Sequence, residues 1–303
     1  MAVLATIRHT RLNRQLRLWR LIALCAAAVA LAAVLYSAAK PIAGGGDYVA
    51  RIHIEGIIHD DRELRQRLNE IAADDHARAL LVFIDSSGGS AAGSEALYTA
   101  MRRVSTAKPV VTVMGATAAS GAYMAAIGAD RIFARNATVT GSIGVIMQAP
   151  QVTGLMESLG IEVDIMRSGP LKTVPNPVEQ LTPAGRAAAQ KLVDEIFALF
   201  VDMVAERRPL NRAEVIALAD GRVFTGQSAV SNGLVDAIGG EAAARDWLAD
   251  QHGIERDLAV IDRNPERDGD WLDRIAGRML GESAVTESLL LDGLLTVWHP
   301  SLQ

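Results

Sequence analysis

The sequence predicts an α/β domain with a mostly parallel β-sheet, preceded by one N-terminal transmembrane helix. Three features support this prediction: continuous apolar runs, amphipathic stretches between those runs, and one uncharged stretch near the start. Strands of a parallel sheet are continuously apolar because helices cover both of its faces. Strands that alternate with helices favour such a sheet. The chain has 303 residues, enough for one large domain or two small ones.

The uncharged stretch, residues 21–39, is predicted to be a membrane anchor. As a helix it would span about 28 Å, close to the thickness of a bilayer core. Residues 1–20 contain five arginines, which places this basic end in the cytoplasm and the remaining chain on the other side. A cleaved signal peptide is the alternative, since S-A-A at residues 37–39 suits a cleavage site. The apolar run is longer than usual for a signal peptide, which favours the anchor. Residues 40–47 follow as a flexible linker.

Alternating strands and helices are predicted from residue 48 onward. Residues 48–58 alternate as a strand does, and the apolar residues of 64–71 follow at helical spacing. The run A-L-L-V-F-I-D, residues 79–85, reads as a buried parallel strand that ends in a glycine turn, S-S-G-G-S. Leu97, Met101 and Val104 then mark a helix.

The second half of the pattern begins with a strand at residues 109–114. Residues 131–135 and 138–147 are typical of further short strands. Thr182 and Pro183 predict the cap and first residue of a long helix that ends near residue 208. The stretch S-L-L-L-D-G-L-L-T-V-W, residues 288–298, is interpreted as a short amphipathic helix.

Composition excludes some classes of function. The net charge of −5 gives no basic surface for nucleic acid. A single cysteine, Cys25, excludes a disulfide within the chain. No metal-ligand spacing such as H-E-x-x-H occurs. Neither a metal nor an organic cofactor is expected. Of the 30 basic residues only four are lysines: Lys40, Lys108, Lys172 and Lys191.

Ser120 is the first candidate for a catalytic residue. It lies in M-G-A-T-A-A-S-G-A-Y, residues 114–123, among small residues where a strand gives way to a helix. Such a turn can be purely structural. Several hydrolase folds also present a nucleophile there, because the first N–H groups of the helix are free to bind an anion.

A serine nucleophile needs a base, and the chain offers histidines and lysines. None of the six histidines lies in a glycine- or proline-shaped loop, so a Ser-His-Asp triad is disfavoured, although the sequence leaves it open. Lysine serves as a base when burial lowers its pKa, which arginine cannot do. Lys172 lies in a loop with three prolines, residues 165–177. An exposed loop lysine is the alternative interpretation.

Four stretches of the chain occur in the order and spacing of one known family: residues 114–123, 137–147, 168–172 and 219–236. From residue 48 to 238 the chain resembles the short form of the protease IV (SppA) signal peptide peptidases. Long forms of that family carry two tandem domains, whereas this chain holds one copy. The resemblance implies a crotonase/ClpP-like fold of repeated β-β-α units.

The resemblance also implies a role for each matching residue. The nucleophile would be Ser120 and the general base Lys172, 52 residues later. The N–H groups of Gly89 and Gly121 would form the oxyanion hole, and Ser142 would orient the lysine amine.

Two residues depart from the family pattern. Ser87 replaces a frequent proline before the G-G pair, and Ala122 replaces a glycine. Neither change removes a reacting group.

The expected function is hydrolysis of cleaved signal peptides and similar membrane-associated peptides by a Ser-Lys dyad. The peptidase domain would cover residues 48–254 and an extension residues 255–303. This domain would lie on the periplasmic side of a bacterial inner membrane, held to lipid by residues 21–39. The family also implies homo-oligomeric rings in which serine and lysine can come from adjacent protomers.

Two other functions use the same framework. Crotonase-type enzymes act on acyl-CoA, but the external location predicted here argues against a cytosolic substrate. A membrane-anchored scaffold that has kept the fold without strong catalysis is the second alternative. The presence of both Ser120 and Lys172 counts against it.

Overall fold

The computed structural model describes residues 46–265, the strand Leu294–Val297 and the single residue Trp19. The described residues from Asp47 onward belong to one compact unit. The predicted anchor at residues 21–39 lies outside the described residues. Among the helices that are described, none has the length and hydropathy that a bilayer span requires.

The described residues contain one sheet of ten strands. The strands are β1 (Tyr48–Ile58), β2 (Ala77–Ser90), β3 (Val110–Ala119), β4 (Arg131–Ala134), β5 (Val139–Gly141), β6 (Ile146–Met147), β7 (Val223–Thr225), β8 (Ala237–Ile238), β9 (Val260–Asp262) and β10 (Leu294–Val297). The order along the main path is β6-β10-β2-β3-β4-β8, while β1 and β9 extend the sheet from β2, and β5 and β7 from β3. Pairing is antiparallel only for β5 with β7 and for β10 with β2 and β6, among the described strands. The predicted mostly parallel α/β sheet is confirmed.

Helices connect the strands. They are α1 (Arg62–Ala73), α2 (Ala91–Ser105), α3 (Gly121–Ala126), α4 (Thr153–Ser158), α5 (Pro183–Arg207), α6 (Arg212–Leu218), α7 (Gly226–Ser231) and α8 (Glu241–His252). The long predicted helix is α5, and Thr182 caps it by accepting a hydrogen bond from the Gly185 N–H, as expected.

Helices cover both faces of the sheet, which explains the continuous apolar runs of β2 and β3. On one face, α1 and α2 bury the residues predicted at helical spacing, including Leu68 and Met101. On the other face, Leu248 of α8 joins a separate cluster with Leu81 and Val111. A strand buried on both sides needs apolar residues at successive positions rather than at alternate ones.

The glycine pair after the apolar run of β2 is not a turn. The strand continues to Ser90, and Gly88 and Gly89 pair with Ile57 and Ile58 of β1. A Cβ atom at Gly89 would lie 1.8 Å from the Ile58 carbonyl oxygen. Glycine is therefore required by the close approach of two strands.

The predicted helix at residues 288–298 is also wrong over its described part, since Leu294–Val297 is strand β10. A short apolar run has no period that distinguishes helix from strand. Pairing with β2 and β6 decides the conformation here.

Candidate active site

Ser120 occupies a strained turn between β3 and α3. Its backbone has φ 55° and ψ −121°, and only 2% of the residue is exposed. A non-glycine residue in such a conformation costs roughly 1–3 kcal/mol and persists only where its surroundings impose it. The Ser120 N–H donates to the Gly141 carbonyl oxygen at 2.7 Å, and its own carbonyl accepts from Met124 N–H at 2.9 Å. Both sides of the turn are thus held in place.

Polar side chains support the end of β3 that leads into Ser120. The Asp85 carboxylate accepts from the Thr117 N–H at 2.9 Å. The Thr140 hydroxyl donates to the Ala118 carbonyl oxygen at 2.7 Å. No pattern in the sequence marks Asp85 or Thr140, and only the pairing of β2, β3 and β5 reveals their positions.

Tyr123 fixes α3 behind the turn. Its side chain is fully buried, and its hydroxyl donates to the Leu234 carbonyl oxygen at 2.9 Å. Burial raises the pKa of Tyr123, so the phenol stays protonated and remains a donor. The helix that follows Ser120 is therefore tied to the segment before β8.

The strain at Ser120 predicts a difference between two substitutions. Ser120→Gly should be more stable than Ser120→Ala by about 1 kcal/mol, because glycine adopts positive φ without steric cost. Thermal unfolding of the two variants measures this difference, and the alanine variant is the matched control since both lack the hydroxyl. Equal stabilities would show that the turn is unstrained.

Ser142 lies beside Ser120. β5 pairs in parallel with β3, with Gly141 opposite Ala119, and each serine is the next residue after its strand. Ser142 is 9% exposed, has φ 48° and donates its N–H to the Arg222 carbonyl oxygen at 2.9 Å. The structure thus brings together the predicted nucleophile and the residue predicted to orient the base.

The two predicted oxyanion donors lie at the same end of the sheet. β2 pairs with β3 at Ser86 and Ala118, so Gly89 and Ser120 follow within a few residues. Gly121 is the first residue of α3, where N–H groups have no intrahelical acceptor.

A serine hydroxyl holds the backbone before Gly89. The Ser86 side chain accepts a hydrogen bond from the Gly88 N–H at 3.1 Å. This contact restrains the backbone immediately before Gly89, although residue 87 is serine.

Lys172, the predicted general base, is not buried as Ser120 and Ser142 are. Its side chain is exposed and makes no hydrogen bond or ion pair with a described residue. Its backbone N–H closes a turn onto the Gly169 carbonyl oxygen at 3.1 Å, and Thr173 follows with φ 69°. Serine and lysine are therefore not in hydrogen-bond contact within one chain.

An apolar surface segment precedes Lys172. No residue of α4 is buried. Met166 is 91% exposed. Large apolar side chains exposed between residues 146 and 171 are Ile146, Val152, Leu155, Leu159, Ile161, Val163, Met166 and Leu171. Clustered exposed apolar residues mark surfaces that bind another molecule.

The described histidines contact residues other than Ser120. They are His53 with Asp262, His59 with the Ile57 carbonyl, His76 with Asp47, and His252 with the Trp247 ring. His9 and His299 lie outside the described residues. Within the described part of the chain, no group of acidic, histidine or cysteine side chains is arranged to hold a metal ion.

Two family models match the chain. The Clp protease model matches residues 50–153, in agreement with a ClpP-like arrangement of the sheet. The model of peptidase family S49 matches residues 102–255, just over half of the chain, including both Ser120 and Lys172. The chain belongs to peptidase family S49.

Relatives of this S49 peptidase are named as proteases or signal peptide peptidases. A candidate protease of Synechocystis sp., slr0021, is 36% identical over 71% of this chain and 78% of its own length. A protein of Enterococcus faecium named as a candidate signal peptide peptidase SppA is 30% identical over 80% of this chain and 75% of its own. The resemblance to the SppA family is thus confirmed. The solved 1510-N membrane-bound stomatin-specific protease is 16% identical with a TM-score of 0.46, covering 73% of this chain and all of that one.

Proposed function

We propose that this S49 peptidase is a membrane-anchored serine endopeptidase with a Ser120–Lys172 dyad. The observation that carries the proposal is the buried, strained strand-to-helix turn at Ser120, with Ser142 beside it at the end of the neighbouring strand. A chain maintains strain of this kind where the conformation positions a reacting group.

The proposed reaction proceeds through an acyl-enzyme. A neutral Lys172 amine takes the Ser120 proton as the serine oxygen attacks the scissile carbonyl carbon. The N–H groups of Gly89 and Gly121 stabilise the oxyanion, each by about 3 kcal/mol. The C–N bond then breaks and Lys172 returns the proton to the leaving amine. Lys172 next deprotonates a water molecule, which attacks the ester carbon. The bond to the Ser120 oxygen then breaks, and Lys172 returns the proton to that oxygen.

To act as the base, the Lys172 amine must reach a serine hydroxyl and be shielded from water. Burial disfavours the charged form of a lysine, whereas Lys172 is exposed in a single chain. A second copy packed on the apolar segment before Lys172 would bury this loop and bring the lysine near the neighbour's Ser120. Repetition of such a head-to-tail contact closes a ring.

The proposed substrates are cleaved signal peptides and similar membrane-associated peptides. Residues 21–39 would hold the enzyme to the inner membrane with the site on the periplasmic side. The name of the Enterococcus faecium relative supports this class of substrate.

A fluorophosphonate probe separates a peptidase from a scaffold with the same fold. The Ser120 oxygen should displace fluoride and form one phosphonyl adduct, which mass spectrometry locates on the peptide containing Ser120. Labelling should disappear in Ser120→Ala and persist in Ser231→Ala, an exposed serine at the end of α7. Heat-denatured protein should not react. A folded parent that stays unlabelled would support the scaffold.

A further inference from the structure

The helix that follows Ser120 is too short to hold its own position. Helix α3 has six residues, Gly121–Ala126, and all six are buried. An isolated helix of this length is unstable, because forming its first turn fixes several residues for one hydrogen bond. The contacts around α3 therefore decide where the helix lies, and with it the Ser120 hydroxyl.

Arg207, the last residue of α5, binds the carboxyl end of α3. Its Nε donates to the Ile127 carbonyl oxygen at 3.1 Å, and its Nη2 donates to the Ala129 carbonyl oxygen at 3.0 Å. Carbonyl groups at the end of a helix have no intrahelical donor, and they form the negative end of the helix dipole. A guanidinium group suits this position because it is always charged and presents several N–H donors in one plane.

Arg208, the next residue, holds the segment that Tyr123 contacts. Its Nη1 and Nη2 each donate to a carboxylate oxygen of Asp236 at 3.0 Å, and its Nε donates to the Gly233 carbonyl oxygen at 2.8 Å. Leu234, which accepts the hydrogen bond of the Tyr123 hydroxyl, lies between those two residues in the chain. The two arginines thus support α3 from its end and from its side.

We propose that Arg207 is a positioning residue for Ser120, which acts by holding the carboxyl end of α3. The inference rests on the proposed function. Hydrogen bonds connect the two ends of the helix: Met124 N–H donates to the Ser120 carbonyl oxygen at 2.9 Å. Ile127 N–H donates to the Tyr123 carbonyl oxygen at 3.1 Å. A shift at Ile127 therefore moves Ser120, and a displacement of about 1 Å can lower a rate about a hundredfold.

Arg207 can be replaced with less damage to the fold than Arg208. The Arg208 side chain is 6% exposed, and its removal would leave the Asp236 carboxylate half-buried without its partner. The Arg207 side chain is 20% exposed, so water can reach the two carbonyl groups once the guanidinium is gone.

Arg207→Ala in the full-length protein, purified in mild detergent, tests the inference. With a fluorogenic peptide, kcat should fall about ten- to a hundredfold while KM stays within about twofold, since no group that binds substrate is removed. Arg207→Lys should recover part of kcat, because an ammonium group keeps the charge and can donate to a carbonyl oxygen. A residue that only stabilises the fold would change the unfolding temperature and leave kcat of the folded enzyme unchanged.

Arg212→Ala is the matched control. Arg212 forms an ion pair with Asp202 of α5 at 2.6 Å, and both side chains are exposed. This variant loses an arginine and an ion pair near the same end of α5, and it should keep parental kcat. Hydrogen exchange gives a readout independent of catalysis: the amides of residues 124–128 should exchange faster in Arg207→Ala and at the parental rate in Arg212→Ala.

The two readouts distinguish the failures. Parental kcat in Arg207→Ala would overturn the positioning role, and so would an equal loss of kcat in Arg212→Ala. Parental exchange of the amides in Arg207→Ala would overturn it as well. A parent that does not cleave peptides would contradict the proposed peptidase instead, and faster exchange in Arg207→Ala would then still support the hold of Arg207 on α3.

Discussion

Ser120→Ala is expected to lower kcat/KM for a peptide substrate by at least about a thousandfold, because no other oxygen replaces the attacking group. The loss should appear in kcat. Neighbouring donors at Gly89 and Gly121 would remain, so substrate binding should change little. Steady-state kinetics on the full-length protein measures both constants.

The controls for this loss follow from the structure. Serine and alanine both have a Cβ atom, so the steric cost of the positive φ at position 120 is similar for the two residues. Ser120→Ala should therefore unfold at nearly the parent's temperature. Ser231→Ala, at an exposed position outside the apolar segment before Lys172, should keep parental activity. If Ser120→Ala kept activity within about tenfold of the parent, the nucleophile would be another residue.

The sequence predicts the fold correctly where the pattern of apolar residues matches the pattern of burial. The apolar runs of β2 and β3 and the helical spacing of Leu68 and Met101 report which faces are buried. The cap at Thr182 depends on contacts within four residues, which a sequence displays directly.

The features of the fold that could not be predicted depend on contacts with residues far away in the sequence. The Gly88–Gly89 pair signals a turn or a close approach equally well, and only β1 on one edge selects the latter. Strand β10 acquires its conformation from pairing with β2 and β6, far earlier in the sequence. The support of Ser120 by Asp85 and Thr140 likewise requires strand register.

The candidate site likewise has a part whose position could be predicted and a part whose position could not. Ser120, Ser142, Gly89 and Gly121 share one end of a sheet, so fold and motif together place them. Lys172 lies in a loop outside the sheet, where no strand register fixes its position. If the dyad is shared between two chains, as proposed, neither one sequence nor one protomer contains the complete site.

Replacing Lys172 is expected to have the second large effect. Lys172→Ala should lower kcat by about a hundred- to ten-thousandfold, the usual contribution of a general base. Lys172→Arg should be equally impaired, because a guanidinium does not give up its proton in proteins. The arginine variant preserves charge, so its failure would show that proton transfer, and not attraction, is the role of the lysine.

Complementation between two inactive variants tests whether the dyad is shared. In the proposed ring, each site takes its serine from one protomer and its lysine from the next. When Ser120→Ala and Lys172→Ala chains mix at random, a site has an intact serine in about half of cases and an intact lysine in about half. About a quarter of the sites therefore have both residues. Co-expressed chains with different tags should therefore recover about a quarter of parental activity, whereas Ser120→Ala with the double variant should recover none. A dyad within one chain would give no recovery in either mixture. We expect recovery because Lys172 and the apolar segment before it are exposed in one chain, and a neighbouring protomer would cover both in the proposed ring.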